Sequence, residues 1–202
     1  MTAITPRPRG EYAKTAARRV EILTAAVEVF SSAGFHKGSL RDVAERAGLS
    51  QAGVLHHFPS KTHLIEAVLE WRDEQAQALF GDQTAGVLSI RALADLVEYN
   101  QRETPELVEL YATLSAEATS PEHPVHDYFR RRYTWVIGYV REALQQADAA
   151  GELRAGVDHA GAARTLVALM DGLQVQWLYD RSSVDMAAEV RRYAQSLFTV
   201  EI

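Results

Sequence analysis

Apolar side chains recur along this 202-residue chain at intervals of three and four rather than two. That is the period at which an α-helix returns a side chain to one face, whereas a half-buried strand alternates. The clearest stripes are Val20, Leu23, Val27 and Phe30, then Leu64, Ile65, Val68 and Leu69. Two more lie near the far end: Leu166, Met170, Leu173 and Trp177, followed by Met186, Val190, Tyr193 and Leu197. No β-rich alternating segment and no internal repeat interrupts them. Start and stop signals divide the pattern into about nine helices. The first spans 14–33, after a mobile arm over about 1–12, and Gly34 supplies a left-handed stop. Short helices follow at 40–47 and 51–58, capped by Ser39 and Ser50, with Pro59 ending the second. A fourth begins after the cap Ser60. Longer ones cover 89–102, 105–118, 124–150, 158–179 and 184–198, marked off by Gly81, Gly86, Pro105, Pro121, Pro124 and Gly151. The expected fold is all-α: an N-terminal three-helix unit over 1–61, then a larger helical bundle over 62–202.

Composition narrows the class. A hydrophobic fraction of 47% is enough to bury a real core and excludes global disorder. With no cysteine there is no disulfide framework, thiolate metal site or Cys nucleophile. No uncharged apolar run approaches the length that spans a bilayer, and residues 1–10 lack the apolar stretch of a secretory signal. A cytoplasmic protein with no membrane association is the expectation. The net charge of −6 argues at first against nucleic acid, but it is unevenly distributed. Residues 1–61 hold nine Lys and Arg against five Asp and Glu, a balance of +4; residues 62–202 hold twelve against twenty-two, a balance of −10. All three lysines, Lys14, Lys37 and Lys61, lie in the basic part. A basic module is joined to an acidic body.

The chemistry concentrates in 39–61, SLRDVAERAGLSQAGVLHHFPSK. Two short helices are joined by Ala47, Gly48, Leu49 and Ser50, with Gly48 making the tight turn. That is a helix-turn-helix, whose second helix enters the DNA major groove. Val43, Ala44, Ala47, Leu49, Val54 and Phe58 are expected to pack inward, leaving Gln51, Ala52, Gly53, Leu55, His56 and His57 outside. Small Ala52 and Gly53 let the helix approach base edges; Gln51 suits paired hydrogen bonds to adenine, and Leu55 suits a thymine methyl. Ser39, Arg41 and Lys61 flank the unit and suit phosphate anchoring.

The segment 22–69 strongly resembles the DNA-binding region of the TetR family of transcriptional regulators. The resemblance is carried by Ala25, Ala26 and Phe30, the Gly34-Phe35 closure, SLRDVA from Ser39, AGLS at the turn and HFPSK ending at Lys61. One position departs: most members carry a phosphate-reaching Tyr where this chain has Leu55. Residues 166–186, LVALMDGLQVQWLYDRSSVDM, are similar to the C-terminal region of a subgroup that includes BetI-type regulators. The resemblance implies a homodimer on a pseudo-palindromic double-stranded operator, released by an unidentified small-molecule inducer, with no cofactor, no metal and no enzymatic activity. It places the dimer interface on the last two helices, where Leu166, Met170, Leu173, Trp177, Met186, Val190, Tyr193 and Leu197 are the candidates. Candidate inducer contacts are Trp71, Tyr99, Tyr111, Tyr128, Tyr133, Trp135 and Gln174, aromatic walls with a few polar handles. Asp171 joins them, because a carboxylate in an apolar helix needs an arginine, a partner group or a cationic ligand.

Other readings stand beside these. His56 and His57 are adjacent and point about 100° apart on a helix, which disfavours shared metal ligation. Gln51 also fits an ordinary solvated first-turn residue. Arg7 and Arg9 fit either a minor-groove arm or an uninvolved tail. Glu122, His123, His126 and Asp127 resemble metal spacing, but Pro121 and Pro124 make this a loop and a solvated helix cap. An enzyme using Asp171 with either His159 or the His123 and His126 pair lacks any spacing that fixes its geometry. A ligand-independent activator or architectural DNA binder is the nearer alternative.

Overall fold

The computed structural model describes residues 9–80 and 85–202. Arg7, most of the expected arm and the boundary residue Gly81 lie outside the described residues, as does the side chain of Arg9. Among the described residues the chain forms nine helices and no strand, so the fold is all-α. In order these are α1 (Arg9–Lys37), α2 (Leu40–Arg46), α3 (Gln51–His57), α4 (Lys61–Phe80), α5 (Val87–Glu103), α6 (Pro105–Glu117), α7 (His126–Ala149), α8 (His159–Tyr179) and α9 (Met186–Leu197). Two compact units divide within α4: Met1–Trp71 and Arg72–Ile202.

The first unit is built from short helices that depend on their caps. Ser39 and Asp42 form a reciprocal capping box at the start of α2, with the Asp42 N–H donating to Ser39 Oγ at 3.2 Å and the Ser39 N–H to Asp42 Oδ2 at 3.2 Å. Ser50 accepts from the Gly53 N–H at 3.1 Å, and Ser60 from the His63 N–H at 3.2 Å. All three capping serines therefore act as the sequence predicts. α1 begins earlier than expected and holds a break at Gly34, where φ is 68° and ψ 177°. The expected left-handed stop is thus an extended positive-φ conformation, a region open essentially to glycine alone. Ile22, Leu23, Ala26, Val27 and Phe30 of α1 are buried, as are Val43 and Ala44, Val54 and Phe58, and Leu64, Ile65 and Val68, and α2 packs on both α1 and α3. Val20, expected on the same stripe, is 45% exposed. It lies instead beside Glu21, Thr24, Glu28 and Arg46 along a surface groove between α1 and α2.

The second unit is a bundle in which α7 packs on α8, α5 on α9 and on α7, α8 on α9, and α6 on α5 and α8. Asp158 and Asp185 cap α8 and α9, and Pro105 occupies the first position of α6, where its missing N–H costs nothing. The core runs through Ile90, Ala94, Val140, Leu144, Ala163, Val167 and Phe198. It also takes in Leu166, Leu173, Trp177, Met186 and Val190, each no more than 4% exposed within the single chain. These five were expected to meet a partner; the bundle uses them itself, because a helix touching α6, α7 and α9 needs its widest apolar arc for its own neighbours. Met170, Tyr193 and Leu197 are half-buried against the same core. The outward stripe of α8 is Ala168, Gly172, Val175 and Tyr179.

The relative weight of caps and core sets a stability order. Ser39→Ala should cost about 0.5–2 kcal/mol, and Phe30→Ala, which empties a fully buried ring site, about 3–5 kcal/mol. Urea unfolding of both variants checks the order; a Ser39 loss equal to that of Phe30 would contradict it.

Candidate nucleic-acid interface

The stretch from Ser39 to Lys61 folds as two seven-residue helices across a four-residue turn. Gly48 has φ 64°, and the turn closes as the Leu49 N–H donates to Ala44 O at 2.8 Å and the Gly48 N–H to Glu45 O at 3.2 Å. A β-carbon at Gly48 would meet no neighbouring atom within 4 Å, so its requirement is conformational rather than spatial. Val43 and Ala44 anchor α2 from within.

In α3 one residue, Val54, is buried, and Phe58 at the C-cap is 2% exposed. Gln51, Ala52, Leu55 and His56 are exposed, while Gly53 and His57 are half-buried. Leu55, at 38% exposure, is one of the few large apolar side chains the first unit shows to solvent. Four of the six residues that the spacing places outside are exposed, and Gly53 and His57 are only partly so. Burial and the neighbouring His56, Arg19 and Arg18 push His57 below the ordinary histidine pKa, so it is neutral at neutral pH. The His56 and His57 rings stand edge to face, 5.4 Å apart.

The flanking groups differ in their commitments. Arg41 is exposed on α2 and makes no salt bridge among the described residues. The Ser39 hydroxyl is engaged with Asp42, donating to Oδ2 at 2.7 Å. The Lys61 ammonium donates to His36 O at 3.3 Å and lies 4.4 Å from the centre of the Phe35 ring, so its stem and charge also brace the unit. Arg46 is tied to Glu28 and Arg18 to Glu21. Sequence reasoning passed over Arg19, whose guanidinium carbon sits 4.3 Å over the Phe58 ring.

The second unit holds a separate polar cluster among aromatics. Tyr133 donates to Asp171 Oδ2 and Tyr128 to Asp73 Oδ2, both at 2.8 Å. Asp73 lies 3.4 Å from an Arg72 nitrogen and 3.5 Å from one of Arg132, and Arg72 covers the buried ring of Tyr111 at 4.2 Å. Tyr111 and Tyr128 each pack edge-on against Phe129 with ring centres 5.2 Å apart. Burial raises the pKa of Tyr111, Tyr128 and Tyr133, with Asp73 adding to the shift of Tyr128 and Asp171 to that of Tyr133. Burial likewise raises Asp171, against the opposing pull of the Tyr133 hydrogen bond and the two arginines. Tyr111, Tyr128, Tyr133 and Asp171 are therefore brought together, and Gln174 sits one turn after Asp171, half-buried. Tyr99, 38% exposed, does not join them; Trp135, 48% exposed and stacked on Tyr139 at 5.7 Å, meets only the edge of the cluster, where the Arg132 guanidinium carbon lies 4.9 Å from its ring centre. Their side chains fall on the outer faces of α5 and α7. Trp71 closes the first unit rather than belonging to the second. The sequence reading also missed Arg72, Asp73 and Arg132. Arg132 carried a usable signal, since it shares a helical phase with buried Phe129 and Val136.

Two further histidines, His123 and His126, shape the connector before α7. His123 is 7% exposed, not solvated, and its Nδ1 accepts from the Val125 N–H at 3.4 Å; His126 Nδ1 is 2.8 Å from Ala118 O. The solvated cap expected here is a packed turn, because Val125, 0% exposed, pulls the loop inward.

Comparison with known proteins adds an independent constraint. Residues 22–68 match the family model "Bacterial regulatory proteins, tetR family", and residues 89–199 match "BetI-type transcriptional repressor, C-terminal". The chain is 27% identical over 180 residues to the HTH-type transcriptional regulator UidR of Escherichia coli K12, covering 89% of this chain and 88% of that one. It superposes on Salmonella enterica GusR with a TM-score of 0.68 at 28% identity, covering 89% and 91% of the two chains. SmeT, the repressor of the Stenotrophomonas maltophilia multidrug efflux pump SmeDEF, shares the fold with a TM-score of 0.70 at 22% identity, with 92% of each chain covered.

The raised Asp171 pKa carries a pH prediction. The folded chain holds this proton more tightly than the unfolded chain, so the contribution is fully present below the ordinary Asp value of about 3.9 and is lost as pH rises through the raised value. Asp171→Asn cannot ionise. The stability of the wild type relative to this variant should therefore fall as pH is raised from about 4 towards neutrality. Urea midpoints for both proteins across that range check it; parallel curves would mean that Asp171 is not desolvated.

Proposed function

The chain belongs to the TetR family of bacterial transcriptional regulators, and on that premise we propose that it is a homodimeric repressor released from its operator by a small molecule. The observation that carries the DNA-reading half is the division of α3. Val54 and Phe58 hold it from one side, while Gln51, Ala52, Leu55 and His56 stand free on the other. Gln51 and Leu55 read base edges; Arg41 and Lys61 fix the register by holding phosphates. Leu55 supplies an apolar contact where most relatives in the family place a tyrosine, so this chain favours a thymine methyl at that point.

Two subunits are needed to read a two-fold site, and the surface that suits pairing is the outward stripe of α8. Tyr179 is 89% and Val175 48% exposed, and Ala168 and Gly172 between them allow close approach of a second helix. Half-sites about one helical turn apart follow from that symmetry.

For the ligand, the group around Tyr111, Tyr128, Tyr133 and Asp171, with Arg72 and Arg132, offers hydrogen-bonding handles against aromatic walls. Arg72 and Asp73 belong to α4, the helix whose first half lies in the DNA-binding unit. A ligand that draws on these two residues shifts α4 and with it the reading helix. The coupling is of the order of 1–3 kcal/mol and reciprocal, so DNA must weaken ligand binding by the same factor.

Binding measurements on DNA selected from a random pool test this reading. Gln51→Ala should relax base preference at one position of each half-site, a loss of about 1–3 kcal/mol of discrimination. Arg41→Ala should weaken selected and random sequences alike and lower the salt slope by about 1. Equal loss of specificity from both changes counts against the division of roles. For release, a ligand recovered by thermal-shift screening should bind the DNA-bound chain less tightly than the free chain; identical affinities exclude the mechanism.

A further inference from the structure

Arg18 and Arg19 are consecutive on α1 and meet different fates. Arg18 Nη1 is 2.5 Å from Glu21 Oε2, an ordinary surface pair one turn along. Arg19 points the other way, with its guanidinium carbon 4.3 Å over the ring of Phe58, the C-cap of α3. Among the described residues it makes no salt bridge, so the stacked guanidinium keeps its N–H groups for another acceptor. A guanidinium on an aromatic face retains its in-plane donors, since the ring engages only its flat side.

Beside Phe58 stand His57 and His56, and the charged groups that act on His57 are His56 from α3 and Arg19 and Arg18 from α1, with no carboxylate among them. A guanidinium held in place, with open donors and no carboxylate paired to it among the described residues, lacks an anion. Phosphates accept hydrogen bonds from guanidinium groups in the planar, paired geometry that arginine presents.

We propose that Arg19, seated on Phe58, is a phosphate-binding residue that extends the DNA interface from α3 onto α1, gripping a backbone phosphate beside the C-terminal end of the reading helix. This rests on the DNA-binding reading above. The aromatic seat fixes the guanidinium before DNA arrives, so less side-chain freedom is lost on binding. The contact is to the backbone and carries no sequence preference. It also gives α1 a direct share in positioning α3, because the same arginine touches the phosphate and the residue that ends the reading helix.

The test uses the full chain and a random-sequence DNA duplex, titrated at several salt concentrations. Each phosphate contact contributes about 0.9 to the slope of log affinity against log salt. Arg19→Gln should lower that slope by about 1 and weaken selected and random duplexes by the same factor. Arg19→Lys, which keeps the charge, should restore most of the slope, and Arg18→Gln should leave it unchanged. An unchanged slope in Arg19→Gln overturns the proposal. So does an unchanged slope accompanied by a lower unfolding temperature, which would make Arg19 a prop for Phe58 only. A wild-type chain that binds no duplex and shows no salt dependence fails the DNA-binding reading itself. Binding by the wild type with an unaltered slope in the variant fails the Arg19 assignment alone.

Discussion

A helix that reads DNA has to be held firmly from one side and left bare on the other. At seven residues, α3 is far below the length at which an isolated helix is stable in water. It gains its fold from few contacts: the Ser50 cap, the buried side chain of Val54 and the ring of Phe58 at its end. Everything else in the first unit serves that attachment. α1 supplies the apolar floor from Ile22 to Phe30, α2 is locked in by its capping box, and Lys61 clamps the start of α4 to the carbonyl of His36. The economy of the anchoring leaves Gln51, Ala52, Leu55 and His56 uncovered. The same constraint explains why Gly48 is needed, since a turn of only four residues reverses the chain by visiting positive φ.

The bundle handles a different conflict. Two arginines and two aspartates are set among tyrosines and Phe129, where burying a charge is costly unless it is paired and hydrogen-bonded. Asp73 resolves part of the cost by facing both Arg72 and Arg132 and accepting from Tyr128. Asp171 accepts from Tyr133, and its upward-shifted pKa shows that desolvation outweighs this bond and the pull of the arginines. Apolar residues would fill such a place at lower cost in stability. The polar group there costs stability, and its residues on α4 make the helix that enters the reading unit part of the same cluster.

Much of this was legible in the sequence. The helical period, the three capping serines and most of the outward set of α3 follow from spacing and side-chain chemistry, because each is decided within a few residues. The places where the sequence misled share a cause. Leu166, Leu173, Trp177, Met186 and Val190 are strongly apolar, and periodicity states that such stripes are covered but not by what. The bundle covers them, and the surface left over is the paler stripe of Ala168, Gly172, Val175 and Tyr179. Tyr99 and Trp135 look like core or pocket by type and are exposed. Asp73 and Tyr128 stand 55 residues apart, and Tyr133 and Asp171 stand 38 apart, so no local pattern pairs them. The stacking of Arg19 on Phe58 is likewise a product of packing. The charge asymmetry is a property of the sequence itself: the excess of cations lies in the part that presents α3, and the excess of carboxylates in the remainder.

The account turns on a two-fold arrangement of reading helices, and selection of binding sites from random DNA by the full chain, followed by footprinting of the enriched sequence, tests it most directly. The predicted result is an inverted repeat whose half-sites lie about one helical turn apart, or a multiple of it, protected together at one protein concentration. Enrichment of a single unrepeated half-site, or no enrichment above the random pool, would contradict it.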